Sequence, residues 1–442
     1  MKKLLATILA LVMALGLCSV SWAADTGKVV VHGIKVGGKD NNEYASFEEA
    51  YAALKPVIES VCDTDVLGQG TAKSVEAFKA VFTDVDSDGN ATITYKISGN
   101  VTYDETSCPN LLTMGRKASH YGNDLHFINF KFAGADENRG ATLTVNSDIT
   151  LPYEWWGEKT TTAISFENLT ITGSAPNGLY PYQKFFEGIS FRVNNCTLKG
   201  IKIYNCSNVG GSYSITNSTL DGTGAPANAY AIHLQGNETA PLTITISNNV
   251  ISGYDRGVNI DQKTAQATVS NNTISIKDPG RSCIQLTQLK TTTVSDNTMN
   301  LTGGNAITLH EGLLNLAAKP EITISGNDIT GNGYLIYDAA KADADKLALN
   351  MSDNTISDTV DTTKGIKGTT VSENSDIVND AVKEGVSVKP VEQPKYYYKN
   401  PSTSTDDTTK GSPKTFDAGV GIYALTAVLS VTGMAWTAKK RH

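Results

Sequence analysis

The sequence predicts an all-β solenoid: three short strands make one coil, and successive coils stack as a parallel β-helix. Three observations carry this. First, one motif recurs as Ile244-Thr-Ile-Ser-Asn-Asn-Val-Ile251, Ala267-Thr-Val-Ser-Asn-Asn-Thr-Ile274, Thr292-Thr-Val-Ser-Asp-Asn-Thr-Met299, Ile322-Thr-Ile-Ser-Gly-Asn-Asp-Ile329 and Leu349-Asn-Met-Ser-Asp-Asn-Thr-Ile356. Its second corner residue is Asn249, Asn272, Asn297, Asn327, Asn354 and, in a fading copy, Asn374, at intervals of 23, 25, 30, 27 and 20 residues. Second, apolar and hydroxyl residues alternate within each copy, the period of a half-buried strand. Third, no amphipathic helix recurs within the period, which excludes leucine-rich and other helical solenoids.

Each part of the coil has a reason. Ile, Val and Leu point inward and fill a cylindrical core, while Thr and Ser point out. Asn suits the corner because it tolerates the left-handed backbone that a sharp bend requires, and its amide can bond to the Asn one coil away, about 4.8 Å along the stack. Degenerate copies run back through Asn217, Asn195, Asn168 and Asn146, so the repeats are placed at 146–380, with an N-terminal cap and the first coils at 24–145. A solenoid needs its open ends covered. Ser46-Phe-Glu-Glu49 reads as a capping box opening an amphipathic helix through Ala50, Tyr51 and Leu54, which supplies a capping helix.

This repeat resembles the right-handed parallel β-helix of the pectate-lyase-like superfamily, and the resemblance covers about Val29 to Ile377. It implies the fold and leaves the activity open, because that superfamily includes lyases, hydrolases, phage tailspikes and adhesins.

The two ends address the chain to a bacterial surface. Lys2 and Lys3, the apolar run Leu4 to Leu17 and Ser21-Trp22-Ala23 make a secretory signal peptide at 1–23. Ala418 to Ala438 carries no charge, is long enough to span a membrane, and precedes the basic Lys439-Lys440-Arg441-His442. Before it, Ser412-Pro413-Lys414-Thr415-Phe416 resembles the sorting signal of Gram-positive wall-anchored proteins, with Pro413 and Thr415 retained and Phe416 where that family carries Gly. The segment 412–442 is therefore expected to be a transmembrane and sorting tail, with peptidoglycan a partner through the C-terminus. Residues 381–411, with Lys-Pro, Gln-Pro and a Ser/Thr run, are expected to be a wall-spanning linker.

Formal net charge is −8 with no basic block outside the termini, which removes nucleic acid as a partner. Five cysteines besides Cys18 are scattered without CxxC spacing and read as small buried residues, with Cys62–Cys108 and Cys196–Cys206 as the pairs to examine. Asp84, Asp86 and Asp88, followed by Gly89, form the first half of a calcium loop, with Tyr95 where a bidentate Glu would stand. The sequence offers either a calcium site there or a simple Asp-Gly turn, and no other cofactor.

In a parallel stack, residues at one phase of successive coils form outward columns. The strands Ala231–Gln235, Gly257–Asp261, Cys283–Thr287, Ala306–His310 and Leu335–Asp338 predict one column of His233, Asn259, Gln285 and Thr308. A second column holds Gln235, Asp261, Thr287 and His310, with Asp338 near its line. With Tyr254, Asp255 and Arg256 just before, this is a polar strip suited to a glycan groove. Asp261, His310 and Asp338 are its candidate acids and bases, and His233, Asn259, Gln285 and Arg256 its candidate binding groups. Against this stands the plain solvated face of a strand, which is polar anyway. Trp155, Tyr182 and Tyr204 each precede a corner Asn by 13 residues, and with Trp156 they form a second, aromatic candidate for sugar rings, against simple loop packing. The expected function is that of a surface-displayed, non-catalytic adhesin or glycan-binding protein, with a polysaccharide or cell-surface glycan as partner. The alternatives are a wall-attached polysaccharide lyase or glycoside hydrolase and a structural surface-layer component.

Overall fold

The computed structural model describes residues 27–61, 75–104, 120–121, 124–125, 128–149, 161–179, 188–206, 211–236, 241–340, 344–362 and 386–388. All lie in one compact unit that ends at Val391. The signal peptide, Asn374, the sorting residues Pro413 and Thr415 and the span 418–438 fall outside the described residues.

The chain is a parallel β-solenoid. Its first face is a 12-stranded sheet, of which the strands Lys28–His32 and Asn42–Tyr44 pair antiparallel at one edge. The remaining ten strands, from Ala91–Ser98 to Ala348–Ser352, are parallel and in register, for example Ile246 beside Val269, Val294 and Ile324. The second and third faces form a 16-stranded sheet, joined where the long strands Thr298–Leu309 and Asp328–Asp338 bend from one face to the other. The helix Phe47–Val61 buries Phe47, Ala50, Leu54 and Ile58, with the Phe47 ring 5.5 Å from Tyr95 and 6.1 Å from Tyr103. At its start Ser46 Oγ accepts from Glu49 N at 3.2 Å, the N-cap half of the expected box, while Glu49 Oε2 accepts from Ala45 N, one residue before the cap, at 2.9 Å.

The core changes character along the stack. In the early coils it is aromatic, with Tyr95, Phe132 and Phe166 stacked at 5.2 and 5.1 Å and Phe191 and Tyr213 continuing the run. In the later coils Ile, Val and Leu replace the rings, and an amide ladder appears at the corner between the first and second faces. Asn249, Asn272, Asn297, Asn327 and Asn354 are fully buried, and each Nδ2 from Asn249 to Asn327 donates to the next Oδ1 at 2.9–3.0 Å. From Asn249 to Asn327 the backbone N–H also donates to that next oxygen, and each Nδ2 from Asn249 to Asn354 reaches back to a strand carbonyl of the preceding coil, as Asn297 does to Val269 O at 2.8 Å.

The alignment of these five side chains and their coil-to-coil amide bonds are as expected, but the other reason given for Asn, a left-handed backbone, is corrected. The left-handed residue is the one before the ladder: Asn248, Asn271, Asp296 and Asp353 have φ of 55–57°, and Gly326 has 64°. The ladder Asn is selected instead by its fully used amide. The earlier copies are shifted accordingly. Asn168, Asn195 and Asn217 are themselves left-handed, at φ 52–59°, so they align with Asn248 rather than Asn249. The ladder position is held there by Leu169, Cys196 and Ser218; Ser218 N–H donates to Asn249 Oδ1 at 3.0 Å and Ser218 Oγ accepts from Cys196 N at 3.1 Å, so the ladder ends in these two links without an amide side chain. Cys196 is a free buried thiol, so no Cys196–Cys206 bridge forms; Cys62 and Cys108 lie outside the described residues. The strand Val386–Val388, in the segment expected to be linker, pairs parallel with Asn354–Ile356, since Val-Ser-Val keeps the alternation for one more rung.

Candidate functional site

The first column is realised by strand register on the third face: Tyr204, His233, Asn259, Gln285, Thr308 and Tyr337 are successive partners. Tyr204, assigned by sequence to the aromatic patch, therefore belongs to the polar strip. Trp155, Trp156 and Tyr182 fall outside the described residues. Two neighbours went unread in the sequence, Lys202 and Tyr230. Tyr230 pairs with Arg256 in the same register, one residue upstream of the Ala231 strand, and extending the strand by that residue would have found it.

These side chains form a continuous cluster. The His233 ring lies 5.1 Å from Tyr204 and 4.8 Å from Tyr230, Lys202 Nζ lies 5.6 Å from the Tyr204 centroid, and the Arg256 guanidinium lies 4.9 Å from that of Tyr230. Hydrogen bonds then link the strip as a single donor-to-acceptor chain. Arg256 Nη1 donates to Tyr230 Oη at 3.1 Å, Tyr230 to Gln285 Oε1 at 3.2 Å, Gln285 Nε2 to Thr287 Oγ1 at 3.0 Å, and Thr287 to Asn259 Oδ1 at 2.8 Å. Tyr204 Oη donates to Gln235 Oε1 at 3.3 Å. Such a chain fixes ring and amide orientations before any ligand arrives. Burial, then the nearby charges of Lys202 and Arg256, push the His233 imidazole down to about 4, so it is neutral at physiological pH.

The second column is only partly assembled. Gln235 and Asp261 are register partners, but a bulge after Ile260 puts Gln288, not Thr287, opposite Asp261. Thr287, left at the bulge, is buried and bonds Gln285 and Asn259 of the first column instead. Asp338 pairs with Leu309 and is fully buried, one position out of phase with His310, because the alternation that points Ile336 inward also points Asp338 inward. It is removed from the outward candidates. His310 starts a short helical turn, Glu311–Asn315, and its Nδ1 accepts from Gly312 N at 3.2 Å. Asp261 is half-buried; burial raises its carboxyl above the ordinary value, while the charges of His310 and Lys263 act the other way. Tyr254 is not part of the strip either: it is fully buried and donates to Ile201 O at 2.5 Å. Asp255 pairs with Lys277 at 3.3 Å.

The Asp-rich loop is a tight turn. Asp86 Oδ1 accepts from the backbone N–H of Asp88 and Asn90 at 2.9 and 2.8 Å, Asp86 Oδ2 accepts from Asn90 Nδ2 at 3.1 Å, and Gly89 takes φ 86°. Among the described residues, no three His, Cys, Asp or Glu side chains are grouped to hold a metal ion, Asp84, Asp86 and Asp88 included.

No curated protein and no solved structure matches the chain. Residues 199–382, the coils that carry the strip and the amide ladder, match the family described as "Right handed beta helix region", in agreement with the parallel solenoid seen here.

Proposed function

We propose that the protein is a non-catalytic glycan-binding protein displayed on a bacterial surface, with the solenoid as a rigid support and the strip on its third face as the binding surface. The helix Phe47–Val61 covers the N-terminal end of the stack in this reading, and the two chain termini direct export and retention. The observation that carries it is the donor-to-acceptor hydrogen-bond chain from Arg256 to Asn259 beside the rings of Tyr204, His233 and Tyr230. Fixed amides, phenols and a neutral imidazole offer both donors and acceptors to sugar hydroxyls, and aromatic rings with polar tips suit partners that are apolar on one side and wet on the other.

A second reading, a lyase or hydrolase, is favoured by one pair: Asp261, with its raised carboxyl, and His310, whose charge acts on it. Screening the purified full chain on a glycan array, with reducing-sugar and unsaturated-product assays on each hit, separates the two. Binding without product is expected; product that vanishes in Asp261→Asn while binding persists selects the enzyme. Deleting 418–442 should release the protein into the medium, and a truncated form that stays with the wall would refute the C-terminal anchor.

A further inference from the structure

Beside the strip lies a pocket of about 70 Å³ whose lining includes Tyr230, Arg256, Arg281, Ser282, Asn305 and Thr308. Its charge is one-sided. No Asp or Glu lines it. Asp255, next in sequence to Arg256, is committed to Lys277, and among the described residues no carboxylate pairs with Arg256. Arg281 meets Asp278 at 3.5 Å in a pair that is partly exposed at the rim. Two buried atoms here also lack partners: Arg256 Nε, a donor, and Asn305 Oδ1, an acceptor on a fully buried side chain. Asn305 cannot swing away, because its Nδ2 donates to both Ser282 Oγ and Thr308 Oγ1 at 3.3 Å, and those two hydroxyls bond each other at 2.5 Å.

A guanidinium with no carboxylate partner and a buried Nε without an acceptor, beside an unpaired buried acceptor in the same pocket, are costly unless a ligand completes them. The His233 imidazole beside it is lowered mainly by burial, with the charges of Lys202 and Arg256 adding to the shift, on a chain whose net charge is −8. We infer that this pocket is an acidic-group subsite of the glycan surface: the arginines take a carboxylate or sulfate ester on a sugar, and Asn305 Oδ1 accepts from a neighbouring hydroxyl. The volume admits such a substituent and not a whole ring, so the ring rests on the strip outside. This rests on the glycan-binding reading and adds to it the charge of the ligand.

Calorimetric titration of the full chain with three matched ligands tests it: a tetrasaccharide with a terminal glucuronic acid, its methyl ester, and the same tetrasaccharide carrying a sulfate in place of the acid. An anionic member is expected to bind about tenfold or more tighter than the ester, as charge-assisted bonds to arginine require. Whichever of acid and sulfate binds tighter identifies the group. The preference should fall to within about twofold in Arg256→Gln and shrink in Arg281→Gln, whose side chain is at the rim and whose loss leaves the core untouched. Equal binding of all three ligands, or arginine variants that weaken acid and ester alike, overturns the acidic subsite while leaving the glycan surface standing. No binding of any of the three overturns both.

Discussion

Asn297 makes four hydrogen bonds through one buried amide: to Val269 O and Asn327 Oδ1 as donor, and from Asn272 N and Nδ2 as acceptor. Asn297→Leu is close in volume but leaves the buried Asn272 N–H without its acceptor and removes one bond each from Asn272 Nδ2, Val269 O and Asn327 Oδ1. It should cost about 3 kcal/mol or more, read from urea unfolding, because the orphaned N–H incurs its full desolvation penalty and the other bonds are lost with it. An outward exchange such as Thr293→Val should stay within about 0.5 kcal/mol. His233 makes a second prediction at this scale. Its folded value of about 4 lies below the ordinary 6.5, so the unfolded chain binds more protons between those values and stability falls as pH drops from about 6.5 to 4. Asp261 works in the opposite sense: its carboxyl is raised in the fold, so its contribution is full below the ordinary value and is lost as pH rises through the raised one. Urea midpoints across pH 4–7 should therefore slope upward with pH, and His233→Phe should flatten that slope over the upper part of the range.

At the scale of the coil, the stack is held in two ways. From Ser218 onward the inner amide ladder ties each corner to the next. Before it, where Leu169 and Cys196 occupy the ladder position, Arg139 lies across the corners from outside, with Nε to Asn195 Oδ1 at 2.9 Å, Nη2 to Asn217 O at 2.8 Å, and Nη1 to Thr197 and Thr219. Arg139→Ala should cost about 2 kcal/mol, and hydrogen exchange should show the loss concentrated at the corners near Asn195 and Asn217, with the ladder amides unchanged. Uniform loss along the stack would contradict this division. The same division explains what the sequence made legible. Where the ladder runs, one residue type is demanded at a fixed phase, and the repeat announces itself. In the early coils, packing between Tyr95, Phe132, Phe166 and Phe191 replaces it, and ring packing tolerates unequal spacing. The true corner phase of Asn168, Asn195 and Asn217 was hidden because Asn serves both the left-handed position and the ladder. His233 stood in its column from the alternation alone, but Tyr204 could be placed beside it only through strand register, the bulge beside Asp261 left no mark in the sequence, and Arg139 gave no signal because its partners lie 56 to 80 residues away.

At the scale of the whole molecule, a chain of net charge −8 carries its unpaired Arg256, with Lys202 and Arg281, beside fixed rings and amides on one face of the solenoid. A rigid stack can hold such groups a few ångströms apart over several coils at little entropic cost on binding, which is what an extended ligand needs. The measurement that bears most directly on this is titration of the strongest array ligand into the full chain and its Tyr204→Ala and Tyr230→Ala variants, with melting recorded alongside. Tyr230→Ala removes a ring and the second link of the hydrogen-bond chain, and each variant should weaken binding about fivefold or more, without product and with little change in melting temperature. Unchanged affinity in both variants, or turnover abolished by Asp261→Asn, would contradict the account.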